Sequence, residues 1–140
     1  MEVIDIKIPM KSDRKKVLAF LEDLHQIIND ESFNIDENFI LIRSEKKDNP
    51  EYTTRYTLAD LDYGASDVVE RLKELTISDY SETLADRDDS NPPLLFVFGK
   101  TVENRLIYIK IKNKENQKGT RYVLCLSFHY AEMEMNFPYR

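Results

Sequence analysis

Three stretches in the last third of the chain, residues 94–98, 105–112 and 121–129, are rich in Ile, Val, Leu, Phe and Tyr, the composition of buried strands. Residues 113–119, between the last two, are polar and end in Gly119, which suits a hairpin connection, and Gly99 closes the first stretch. The pattern predicts a three-stranded antiparallel meander. Such a sheet must bury one face, so the rest of the chain has to supply a covering layer.

The first two thirds provide it. In residues 3–8, Ile4, Ile6 and Ile8 alternate with Val3, Asp5 and Lys7, predicting a short strand that stops at Pro9. Ser12 is placed to cap a helix running to about residue 29, in which Val17, Phe20, Leu21, Leu24, Ile27 and Ile28 form one apolar stripe. Residues 39–42 read as a short strand, and residues 44–51 as a charged turn around Pro50. Ser66 is placed to cap a second amphipathic helix burying Val68, Val69, Leu72 and Leu75, followed by a capped turn at residues 78–80. Residues 85–93 carry an acidic run and two prolines and read as a loop. The expected fold is α+β in a single domain, residues 1–140. It has a small antiparallel sheet, the C-terminal meander plus the N-terminal strand, with helices on one face.

Composition narrows the chemistry. Cys125 is the only cysteine and His25 and His129 the only histidines, which excludes an internal disulfide and a thiolate-rich zinc site and leaves metal chemistry poorly supplied. No leader peptide or membrane span is expected, so the expected location is the cytoplasm. The net charge of −6 is unevenly spread. Residues 94–140 hold eight Lys and Arg against four Glu, a net +4, leaving −10 for residues 1–93. Such asymmetry predicts one anion-attracting face, and the plain alternative is a solvated hairpin with surface lysines.

Strict alternation sorts the hairpin into two chemically different faces. Ile107, Ile109 and Ile111, with Tyr122, Leu124, Leu126 and Phe128, are expected in the core. Leu106, Tyr108, Lys110 and Lys112, beside Val123, Cys125, Ser127 and His129, are expected on the open face. Metal-free RNA cleavage requires a base for the 2′-hydroxyl, positive charge at the phosphorane and an acid for the leaving 5′-oxygen. His129 suits proton transfer, since an ordinary histidine titrates at about pH 6.5, and Lys110 or Lys100 suits phosphate charge. Tyr108 can donate to phosphate or stack on a base. Lys112 and Arg121 are further candidates for RNA contact. Glu132 is the candidate base, the alternative being a solvated carboxylate. His25 flanks the helix stripe and reads as structural, and Cys125 as packing.

The runs LFVFGK (95–100), IYIKI (107–111) and LSFHYAEMEMNFPY (126–139) resemble the C-terminal half of the MqsR toxin family, in particular a branch ending in SFH-x-A-E…M-N-[YF]-P. Upstream, DVVERLKEL (67–75) and Ser78-Asp79-Tyr80 resemble that family's helix and turn. The resemblance covers residues 57–139 and leaves residues 1–55 outside it. It implies a RelE-like fold, endonucleolytic cleavage of messenger RNA without a cofactor, and neutralisation by a cognate antitoxin of helix-turn-helix or zinc-ribbon type. It assigns catalytic roles to Tyr108 and His129. The chain departs from the family pattern in two places. Ser81 and Glu82 stand where a lysine follows the turn, and Leu95-Phe96-Val97 replaces a Trp-Gln-Asp strand. Two competing readings are a non-catalytic RelE-like module that binds protein through its sheet, and a toxin that has lost catalysis.

Overall fold

The computed structural model describes residues 9–44, 48–85 and 94–140. The strand expected at residues 3–8 and, apart from Ala85, the loop expected at 85–93 lie outside these residues. Among the described residues the fold is α+β, in the order β1 (Pro9–Met10), α1 (Arg14–Ile28), α2 (Ile35–Asn38), β2 (Phe39–Leu41), α3 (Thr54–Leu61), α4 (Ala65–Lys73), β3 (Tyr80–Leu84), β4 (Leu95–Val102), β5 (Arg105–Glu115) and β6 (Arg121–Tyr130). The strands form one sheet, ordered β1-β3-β4-β5-β6-β2. The meander is present at its centre. The sheet is nevertheless mixed and larger than expected, because β2 joins β6 in parallel and β3 extends the antiparallel part.

The expected helices form with different caps. The carboxylate of Asp13 accepts from the Lys16 amide at 2.8 Å and caps α1. Ser12 instead lies buried, its hydroxyl 2.8 Å from that of Thr83, while its amide donates to the Tyr80 phenol at 2.9 Å. At α4, Gly64 is the N-cap and Asp67 reaches back to its amide at 2.9 Å, so Ser66 is not the cap. Helices α2 and α3 have no counterpart in the sequence reading.

The apolar stripe of α1 and residues Val68, Val69, Leu72 and Leu75 share one core with Ile107, Ile109, Ile111, Val123, Cys125, Phe128 and Tyr130. Phe20 stacks on Phe96 with ring centres 4.1 Å apart, and Tyr80 packs against both Phe96 and Phe98. This is the helix-covered face.

The opposite face is crossed by the C-terminal tail, residues 131–140. At its end the tail passes the β3 edge to the helix side, where Tyr139 stacks on Tyr80 at 5.7 Å and donates to the Ser12 carbonyl at 2.6 Å. Gly99 does not end a strand; it lies inside β4, where a Cβ would stand 2.6 Å from the Phe137 ring and 3.1 Å from the Met135 sulfur. A glycine within a strand often marks a close approach of this kind. The β4–β5 turn has Glu103 and Asn104 both at positive φ, 48° and 69°, as a two-residue hairpin whose twist matches its strands requires.

Gly99→Ala is therefore expected to push Phe137 off β4. Urea denaturation should register a loss of about 1–3 kcal/mol, the scale of overpacking. Unchanged stability would mean that the tail does not rest on β4.

Candidate functional site

Register decides which side chains meet. In the β5–β6 ladder Tyr108 pairs with His129 and Lys110 with Ser127, but Ile111 pairs with Cys125, which leaves Leu126 as an extra residue in β6. This bulge reverses the alternation of β6. Phe128 and Tyr130 face the helices after it, as Val123 and Cys125 do before it. The expected placement of Val123 and Cys125 on the open face is thus corrected: both are fully buried on the helix side. Ser127 and His129 share the tail-covered face with Tyr108 and Lys110. A one-residue bulge has this effect because side chains alternate with period two.

On that face lies a cavity of about 680 Å³. Tyr108, Lys110, Ser127 and His129 line it from the sheet, together with Glu82 of β3. Ile42 and Ser44 line it beyond β2, and residues 131–136 of the tail complete it. The four nominated catalytic residues, Tyr108, Lys110, His129 and Glu132, thus border one space.

The rings of Tyr108 and His129 stack with centres 5.1 Å apart and 13° between their planes. His129 Nδ1 lies 2.9 Å from the carbonyl oxygen of Tyr130. A carbonyl can only accept, so Nδ1 carries the hydrogen and Nε2 is the nitrogen that gains and loses a proton. Burial, reinforced by the negative charge of Glu82, pushes the Tyr108 phenol up to about 12. At neutral pH Tyr108 is therefore a hydrogen-bond donor and not a base. Glu132 is exposed, and its Oε1 accepts from the Asn49 amide at 2.8 Å.

No family model, curated protein or solved structure matches the chain. The resemblance to the toxin family accordingly rests on the motifs quoted above.

The other nominated cations lie elsewhere. Lys100 pairs with Ile107, so it is on the helix side, and it forms an ion pair with Glu74 at 3.4 Å. Lys112 is only 2% exposed, which removes it as a surface contact. Arg121 meets Asp23 at 3.6 Å and stands eight residues from His129 along β6, roughly 26 Å away at ~3.3 Å per residue. The nominated cations therefore do not converge on one site, and of the four nominated lysines and arginines Lys110 alone lines the cavity.

Sequence reading did not bring Glu82, Ile42 and Asn136 to the site, and it set Glu134 behind Glu132 as a candidate base; all four line the cavity. The alternation of β3 is hidden by its own register shift between Tyr80 and Glu82. The tail residues carried one signal, Gly99 within an apolar run, which announced that something packs closely there. Among the described residues no three His, Cys, Asp or Glu side chains cluster so as to hold a metal ion, and no helix is long and apolar enough to cross a membrane.

Burial raises the Tyr108 phenol from 10.0, the Tyr130 phenol from 10.0 and the Cys125 thiol from 9.0, each to about 12. The folded chain then keeps protons that the unfolded chain releases, so this stabilisation is complete below about pH 9 and is lost as pH rises toward 12. The urea midpoint should fall steadily between pH 9 and 11. Its onset should move upward in Cys125→Ala, because the group with the lowest unfolded pKa is then gone. A midpoint flat to pH 11 would contradict the burial of all three groups.

Proposed function

We propose that the chain is an endoribonuclease toxin of the RelE-like kind, which cuts messenger RNA at this cavity without a metal and is neutralised by a cognate antitoxin. What supports this reading is the stacked Tyr108–His129 pair beside Lys110 in one cavity, with the His129 tautomer set by a backbone carbonyl. In the proposed reaction the 2′-oxygen of RNA bonds to phosphorus while the bond to the 5′-oxygen breaks. Glu132 takes the 2′-hydroxyl proton, and His129 Nε2 gives a proton to the leaving 5′-oxygen. The products are a 2′,3′-cyclic phosphate and a 5′-hydroxyl. Lys110 and the neutral Tyr108 phenol stabilise charge on the phosphorane oxygens.

One observation favours a second reading. Glu82, Glu132 and Glu134 also line the cavity, three carboxylates to one lysine, which opposes entry of a polyanion. On that reading the fold is a non-catalytic module that binds protein.

Incubation of the purified chain with single-stranded RNA, with magnesium and separately with EDTA, decides between them. The nuclease reading expects equal cleavage in both and growth arrest when the chain is expressed without a partner. Intact RNA at high protein concentration would leave the binding module. His129→Ala is expected to slow cleavage about 10²–10⁴-fold with the fold retained. His129→Lys separates the roles: restored cleavage means that positive charge is what matters, and continued loss means proton transfer. Tyr108→Phe should cost nearly as much as His129→Ala if the hydroxyl meets the scissile phosphate, and far less if the ring only stacks.

A further inference from the structure

We infer that Tyr130 is a positioning residue: its backbone carbonyl keeps the His129 imidazole in the Nδ1–H form, and helix α3 keeps Tyr130 in place. The kinetic consequence rests on the nuclease reading; the tautomer itself does not. A free histidine side chain prefers the hydrogen on Nε2, so the opposite form has to be imposed by an acceptor at Nδ1. That acceptor is the Tyr130 carbonyl at 2.9 Å, and its peptide unit is fixed from several directions.

On one side, the amide of the same peptide unit, that of Ala131, donates to the Leu106 carbonyl at 2.9 Å. On the other, the Tyr130 amide donates to the Thr57 hydroxyl at 3.0 Å, while its phenol donates to Asp60 at 2.6 Å. Thr57 and Asp60 lie three apart on α3 and so face the same way. The guanidinium of Arg105 lies 3.5 Å from the centre of the Tyr130 ring and is itself paired with Glu51 at 3.1 Å. Tyr130 thus cannot shift along or rotate about the strand without breaking bonds to α3. The stack on Tyr108 fixes the plane of the imidazole, and within that plane Nδ1 is the nitrogen that meets the carbonyl. Together these contacts leave Nε2 as the proton-exchanging atom. A Tyr130 that merely filled the core would have no effect on which nitrogen of His129 carries hydrogen.

The test is the nitrogen NMR spectrum of the full ¹⁵N-labelled chain at about pH 9, above the ordinary titration range of histidine. His25→Gln assigns the two rings. The expected result is a single His129 species, pyrrole-like at Nδ1 and pyridine-like at Nε2. In Thr57→Val, which leaves the Tyr130 amide without its acceptor, folded protein should show mixed tautomers, and Thr57→Ser should restore the single form. If Thr57→Val does not fold, Tyr130→Phe, which keeps the ring and loses the bond to Asp60, is read in its place with the same expectation. Wild-type protein in the Nε2–H form, or a folded variant that keeps the single Nδ1–H form, overturns the inference. Cleavage by Thr57→Val should fall about 10-fold, the scale seen when the support of a functional histidine is removed, and recover in Thr57→Ser. Absence of cleavage by every protein, wild type included, would remove the nuclease reading and leave the tautomer spectra to decide this one.

Discussion

The single extra residue at Leu126 governs the molecule, because it settles which side chains of β6 face the helices and which face the cavity. With strict alternation, a strand that buried Val123 and Cys125 would bury Ser127 and His129 as well. A histidine and a hydroxyl would then lie in an apolar core. Turned over, the same strand would bury Phe128 and Tyr130 but expose Val123 and Cys125. The bulge lets both apolar pairs reach the core and brings Ser127 and His129 to the opposite side. The cost is one local break in the ladder, small against the roughly 1.5–3 kcal/mol gained by burying each large apolar side chain.

The covering of the two faces follows from this division. On one side α1 and α4 bury the isoleucine rows of β5 and the aromatic cluster of Phe20, Phe96, Phe98 and Tyr80. On the other, a ten-residue tail does the covering, and a tail is too narrow to cover a sheet completely. A cavity is left beside it. The edge of β6 is completed by two different devices. β2 pairs with residues 123–125, whereas the amides of Phe128 and Tyr130 donate to the hydroxyls of Thr54 and Thr57 at 3.1 and 3.0 Å. A buried amide left without an acceptor costs about 1–3 kcal/mol, so α3 is bound to the edge of the very strand that carries His129.

The cavity combines groups of opposite tendency. A neutral phenol, an imidazole with a defined tautomer and one lysine suit work on a phosphodiester, while three carboxylates on the same walls repel one. Glu82 acts in both senses, since its charge helps to keep Tyr108 protonated. Any ligand of this site must therefore approach Lys110 and the aromatic pair without being turned away by the walls.

The sequence by itself determined the local periodicities: the α1 stripe, the α4 stripe and the strands of the meander are all where apolar spacing puts them. It also made Tyr108 and Lys110 neighbours on one face of β5, since that depends only on alternation within a strand. The tertiary structure decided the rest. Which face of β6 His129 joins depends on a bulge that no propensity in CLSFH announces. Glu82 and residues 131–136 reach the cavity through sheet order and a returning tail. Lys100, Lys112 and Arg121 are kept from it by register, burial and distance. Spacing within an element is fixed by backbone geometry, which a sequence shows directly. Register between elements is fixed by which complete set of side chains can be buried together, and that is a property of the folded chain as a whole.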